Sequence, residues 1–159
     1  IMRAILRILG GIQLLILIGC AAGPVKLTAL PEAKAAFVET YNSDGVQILS
    51  VNGTSVGGPF KAAPTKISFN PGPTQIAFRW SAFAGPGRRR YQCFNVKFDA
   101  VEGQHYVLLS SVPGPDYNDI KVELRKLSAY GGVDYRSPAV AKPTVTGGAL
   151  KLLTGICPS

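Results

Sequence analysis

Histidine occurs once in this 159-residue chain, as His105, and tryptophan once, as Trp80. A single histidine excludes the multi-histidine sets that hold catalytic metals, and any imidazole base must be His105. Three cysteines, Cys20, Cys93 and Cys157, leave a thiolate metal site without its second ligand pair. Acids are scarce, nine Asp and Glu against 17 Lys and Arg, which gives a formal net charge of +8. That basic surplus is not gathered into a Lys/Arg run interleaved with aromatics, so nucleic acid is not an expected partner. No segment after Cys20 carries a helical period, which argues against a helical domain.

What the chain does have begins with an apolar run. Arg3 and Arg7 put positive charge ahead of Ile8 to Ile18, which is interrupted only by Gly10, Gly11 and Gln13. A basic start followed by a short apolar stretch is the layout of a secretory signal. Those residues would cover about 16 Å as a helix, against about 30 Å for a hydrocarbon core. Counted from Ala4 to Ala22 the stretch is 19 residues and could just cross, so a retained transmembrane helix stays open as the alternative. Either way the N-terminus is expected to be a hydrophobic helix serving as signal or anchor.

The run ends on Leu17-Ile18-Gly19-Cys20, which resembles the lipobox of bacterial lipoproteins. The resemblance implies cleavage before Cys20, diacylglycerol on its thiol and an acyl group on the new amino terminus. Ala21 in second place, rather than Asp, resembles the sorting choice for the outer membrane. The expected location is therefore the bacterial envelope, an outer-membrane lipoprotein facing the periplasm, with inner-membrane anchoring as the alternative. Residues 1–19 are read as signal peptide or membrane helix, 20–33 as a tether and 34–159 as one domain.

Loss of residues 1–19 removes Arg3 and Arg7 and lowers the formal charge from +8 to +6. A mildly basic exported domain suits anionic surfaces such as phospholipid headgroups or peptidoglycan. With Cys20 taken by lipid, Cys93 and Cys157 remain as an even pair in an oxidising compartment, where a disulfide is expected. Two free buried thiols or half of a metal site are the alternatives.

The rest of the chain reads as short strands separated by turns, with 18 Gly and 12 Pro. Ala35 to Tyr41 and Val46 to Val51 are strand-like, and Asn52-Gly53 calls for a type I′ hairpin turn, whose two central positions need positive φ. Thr65 to Phe69 follows, then Thr74 to Phe83, which alternates Ile76, Phe78 and Trp80 against Gln75, Arg79 and Ser81. Residues 85–90 are read as a hairpin loop. Tyr91 to Phe98 returns from it, with Phe94, Val96 and Phe98 on the core side and Cys93, Asn95 and Lys97 on the other. Cys93 is thus placed to pin the C-terminal segment across the outside of a sheet. Gln104 to Ser110, a strand marked by Ile120, Val122 and Leu124, and Val145 to Leu153 complete about eight strands. Period-2 alternation with frequent turns predicts an all-β, antiparallel sandwich of seven to eight strands.

Leu30 to Leu109 resembles a class of small bacterial lipoproteins with a β-sandwich domain. The likeness rests on Leu30-Pro31, on Ile48-Leu49-Ser50-Val51-Asn52-Gly53, on Pro71 to Ile76, and on Phe98 to Tyr106. The hairpin portion is also similar to the carbohydrate-surface modules called PEGA domains. These motifs are turn and core chemistry, and the resemblance implies a fold rather than an activity. The chain departs from the pattern in its longer Gly57 to Pro64 insertion and in the Cys93/Cys157 pair.

Few residues carry chemistry. His105 is either a general base or a strand-end histidine held by local contacts, and no nucleophile-elbow motif accompanies it. Asp116, Asn118 and Asp119 supply oxygen ligands of the kind Ca²⁺ takes, but without the Gly and distal Glu of an EF-hand they read as an Asx-rich turn. Arg88, Arg89 and Arg90 form the densest charge run, able to contact lipid phosphate or an acidic partner, or else a solvated hairpin tip. Tyr41, Tyr91, Tyr106, Tyr117, Tyr130 and Tyr135 divide between core and an exposed patch in a way the sequence leaves open. The expectation is a non-catalytic, lipid-anchored binding or structural module, without cofactor or metal. Its partners are membrane lipid, through Cys20 or the N-terminal helix, and a protein of the envelope. The alternative is an accessory subunit of a membrane complex that keeps residues 4–22 as a transmembrane helix.

Overall fold

The computed structural model describes residues 23–41, 45–57, 64–83, 86, 89–111, 120–146 and 157. These residues form an all-β molecule of two five-stranded sheets. The strands are β1 (Val25–Lys26), β2 (Ala36–Thr40), β3 (Val46–Val51), β4 (Thr54–Ser55), β5 (Lys66–Phe69), β6 (Gly72–Phe83), β7 (Arg89–Ala100), β8 (His105–Ser111), β9 (Lys121–Lys126) and β10 (Thr144–Val145). A single 3₁₀ turn, Glu32–Lys34, is the one helical element among the described residues. The first sheet is ordered β1-β5-β2-β8-β9 and the second β10-β7-β6-β3-β4.

Strand alternation sets the core. Ile76, Phe78 and Trp80 of β6 are 0%, 0% and 3% exposed, while Gln75 before them is exposed and Ala77 and Arg79 between them are half-buried. They join Val46 and Ile48 of β3 and Phe94 and Val96 of β7 in one buried cluster, which also takes Val38, Ile67, Phe69, Tyr106, Leu108 and Leu124 from the first sheet. Each such side chain contributes about 1.5–3 kcal/mol when taken out of water. Phe78 and Phe94 stack across the β6–β7 pair at 5.3 Å, and Phe98 meets Tyr106 edge-on at 5.0 Å, tying the second sheet to the first. The Val101 N–H donates to the Tyr106 hydroxyl at 2.9 Å, so the phenol in this core has its polar end satisfied.

Short connections give the two sheets a common pair of ends. At the end referred to below as the upper one, β2, β6 and β8 finish and β3, β5, β7 and β9 start. Two residues join Phe69 of β5 to Gly72 of β6 at the opposite end. At Asn52-Gly53 the backbone takes φ values of 49° and 77°, as the type I′ turn requires. The Asn52 side chain accepts from the Gln75 N–H at 2.7 Å and locks that turn to β6.

Three expectations change. The first sheet is mixed rather than antiparallel, because β1 runs parallel to β5 and β2 parallel to β8. Part of the segment read as a tether belongs to the sheet, since Val25 and Lys26 pair with Ile67 and Ser68 and the Leu27 N–H continues to the Ser68 carbonyl at 2.8 Å. Arg89 and Arg90, read as hairpin loop, are strand residues opposite Phe83 and Ala82, because the β6–β7 ladder continues beyond Tyr91. Of the last strand, expected over Val145 to Leu153, the described part is Thr144–Val145 opposite Asn95 and Phe94, and residues 147–153 lie outside the described residues. The expected N-terminal helix lies outside the described residues, as do Cys20, Arg88, Asp116, Tyr117, Asn118 and Asp119. Among the described residues no helix is long and apolar enough to cross a membrane.

Candidate functional site

The face of the first sheet turned away from the core holds the chain's only histidine. Pairing of β2 with both β5 and β8 sets Ser68, Phe37 and His105 side by side, with Lys66 and Glu39 paired one step along. The His105 ring stacks on Phe37 with centroids 4.3 Å apart, and the Lys66 ammonium lies 4.5 Å from the Phe37 centroid. Burial in this stack, helped by the neighbouring Lys66 charge, lowers the His105 pKa below its ordinary value, against the opposing pull of Glu39 and Glu32. The imidazole is therefore neutral at pH 7. Its backbone carbonyl accepts from the Leu127 N–H at 2.9 Å and from the Gln104 side-chain amide at 2.9 Å.

Beside the stack lies a cavity of about 250 Å³ lined by Val25, Lys26, Leu30, Glu32, Phe37, Lys66 and Ser68 among others. Glu32 reaches Lys66 at 3.9 Å across its mouth, and with Glu32 80% exposed the pair is a weak, solvent-screened one. The cavity is small, half apolar, and offers cations rather than a nucleophile–base pair. Sequence reading found His105 but neither Phe37 nor Lys66, because each is an ordinary strand residue until β2 brings its neighbours together. Among the described residues there is no group of three or more His, Cys, Asp or Glu able to hold a metal ion.

The second feature is the β6–β7 hairpin. β3 and the Gly45 that precedes it bond β6 as far as Ser81, whose N–H donates to the Gly45 carbonyl at 2.9 Å, and the rungs Ala82–Arg90 and Phe83–Arg89 run on past it. Phe83 is 66% exposed, and the Arg89 guanidinium lies over its ring at 4.6 Å. Two of the three arginines singled out by charge thus decorate a projecting strand end together with an exposed aromatic ring.

Cys93 and Cys157 are joined by a disulfide, with Cα atoms 5.7 Å apart. Cys93 is buried yet lies outside the core cluster, on the outer face of the second sheet. Above it the Thr146 N–H donates to the Cys93 carbonyl at 2.9 Å, and the Thr144 hydroxyl donates to the Asn95 carbonyl at 3.2 Å. The bridge joins Cys157 to the outer face of β7, the strand that β10 flanks at the edge of the second sheet.

The tyrosines separate. Tyr106 is core, and burial pushes its phenol pKa up. Tyr91 and Tyr135 lie under Arg79 and Arg125, at 5.3 and 5.4 Å, while Tyr130 stands 99% exposed. Tyr41 is 39% exposed at the upper end, where β2 finishes.

No family model matches the chain, and no match to it is found among the curated proteins or the solved structures.

Proposed function

We propose that the protein is a non-catalytic lipoprotein of the bacterial envelope, acylated at Cys20, whose β-sandwich acts on the periplasmic side as a binding or structural module. The observation that carries this reading is the shortness of the link. Val25 is already a sheet residue five positions after Cys20. Five residues span at most about 18 Å, so a lipid on Cys20 would hold the domain against the membrane surface. Acyl chains contribute about 0.8 kcal/mol per buried CH₂, ample for stable attachment when several are present. A disulfide between Cys93 and Cys157 accords with an oxidising compartment. The packing of His105 against Phe37 and Lys66 suits a structural ring better than a base. Labelled fatty acid fed to expressing cells should appear in the protein, and Cys20→Ser should abolish that label. Label retained by Cys20→Ser would overturn the assignment.

A second reading is an accessory subunit of a membrane complex that keeps residues 4–22 as a transmembrane helix. The exposed rings Tyr130 and Tyr135, 99% and 69% exposed, favour it as contact residues. It predicts one stoichiometric protein partner that co-purifies through mild detergent.

A further inference from the structure

Among the described residues, the strand termini at the upper end carry more cations than acids. Seven strands have four or more residues, and their upper termini are Thr40, Val46, Lys66, Phe83, Arg89, Ser111 and Lys121. Three of these are cations, but the Lys66 ammonium turns back over Phe37 and toward Glu32 at 3.9 Å, so the cations the described strand ends present are Arg89, with Arg90 after it, and Lys121. Phe83 and Arg89 project beyond the neighbouring strand, about two residues or 7 Å past the Gly45–Ser81 hydrogen bond. β1 runs parallel to β5, with Val25 opposite Ile67, so Gly23 and Pro24 enter the sheet from the Lys66 side, the end from which β5 starts. A lipid on Cys20, three residues before Gly23, would therefore tether the domain at the end that presents the Phe83 and Arg89 hairpin.

We propose that the β6–β7 hairpin end, Phe83 with Arg89 and Arg90, docks on the anionic phospholipid surface to which the domain is tethered. The exposed ring enters the headgroup layer and the guanidinium groups meet lipid phosphates. An exposed aromatic beside arginines is the chemistry of the interface, where a ring gains from partial burial and cations from the negative surface potential. Arginine suits phosphate because its planar fork donates two parallel hydrogen bonds. The docking would fix the domain's orientation on the membrane with the opposite end of both sheets facing away. The inference deepens the lipoprotein reading and rests on it for the direction in which the membrane lies.

The test uses the full chain with Phe83→Trp, reconstituted in vesicles whose acyl chains carry bromine as a quencher. Trp80, 3% exposed in the core, is the only native tryptophan, so the parent chain measures the background. Brominated phosphatidylglycerol should quench the new tryptophan at least twice as strongly as brominated phosphatidylcholine. High salt, or Arg89→Ala with Arg90→Ala, should remove the excess, since losing two interfacial arginines weakens anionic-surface binding about 30-fold. Quenching equal to the parent's, or independent of lipid charge, overturns the proposal. So does an emission shift produced by soluble polyglutamate and not by anionic vesicles, which would point to an acidic protein partner. The intact mass of the same preparation separates the two levels of the argument. An acylated chain with an unquenched tip sinks the docking and leaves the anchor, whereas an unacylated chain with a charge-dependent, quenched tip supports the docking and removes the anchor.

Discussion

Removing the Cys93–Cys157 bridge should lower stability by about 4 kcal/mol, the chain-entropy value for closing a loop of this size. The loop spans 64 residues, from the middle of β7 to the C-terminal region, and so encloses β8, β9 and β10. Little else holds the last segment among the described residues. β10 has two residues, both exposed, and Val145 is 54% exposed, so apolar burial there contributes little. The bridge also shields a Cys93 side chain that sits outside the core cluster, and its loss would uncover that face. The perturbation is the double variant Cys93→Ala with Cys157→Ala, which avoids leaving one reactive thiol. With a urea m value of about 2 kcal/mol/M, the unfolding midpoint followed by far-ultraviolet circular dichroism should fall by about 2 M. Reduction of the parent protein should reproduce the shift. A midpoint lowered by less than about 0.5 M, below about 1 kcal/mol, would refute the reasoning, because the segment would then be held by contacts other than the bridge.

Three further outcomes follow from particular contacts. Gly45 has φ of +66°, and a β-carbon there would run into the Ser81 carbonyl oxygen, so Gly45→Ala should cost about 2 kcal/mol or more and depress the melting temperature by several degrees. Because folding lowers the His105 pKa, the unfolded chain binds the proton more readily. The stabilisation is complete above the unfolded value near 6.5 and is lost as pH falls through the folded value. His105→Gln should lack that step in a melting-temperature profile, and the single imidazole resonance should titrate below pH 6.5 by NMR. The Arg125 guanidinium donates to the Ser137 carbonyl at 2.9 Å, bonds Glu123 at 2.8 Å and lies over Tyr135. Arg125→Ala should therefore release residues 128–141, raising their proteolysis rate several-fold with a loss of about 2 kcal/mol, and Arg125→Lys should not restore them.

Features written in local sequence were legible before any coordinates. Period-2 alternation at Ile76, Phe78 and Trp80 marks a half-buried strand, and all three side chains are buried. Asn52-Gly53 needs positive φ at two successive residues and adopts it. The spacing of Phe94 and Val96 against Cys93 placed the disulfide on the outer face, where the bridge occurs. Pairings between distant segments were not legible. A two-residue strand such as Val25–Lys26 carries no period of its own and exists because Ile67 and Ser68 offer it an edge. The parallel match of β2 to β8 joins Phe37 to His105 across 68 positions, so the stack beside the cavity has no signature in either segment alone. Arg89 and Arg90 looked like loop residues because Gly85-Pro86-Gly87 signals a turn, yet the cross-strand ladder holds them opposite Phe83 and Ala82. The meeting of Arg89 and Arg90 with the exposed Phe83 at one strand end is likewise a property of strand pairing, invisible in a net charge of +8.

The most direct test of the central claim, a domain held at the membrane by lipid on Cys20, is the intact mass of the protein extracted from its native membrane. The account predicts the mass of residues 20–159 with a diacylglyceryl and an acyl group, and a gain of two hydrogen atoms when an added thiol reductant opens the Cys93–Cys157 bridge. A mass that retains residues 1–19 and carries no lipid would contradict it.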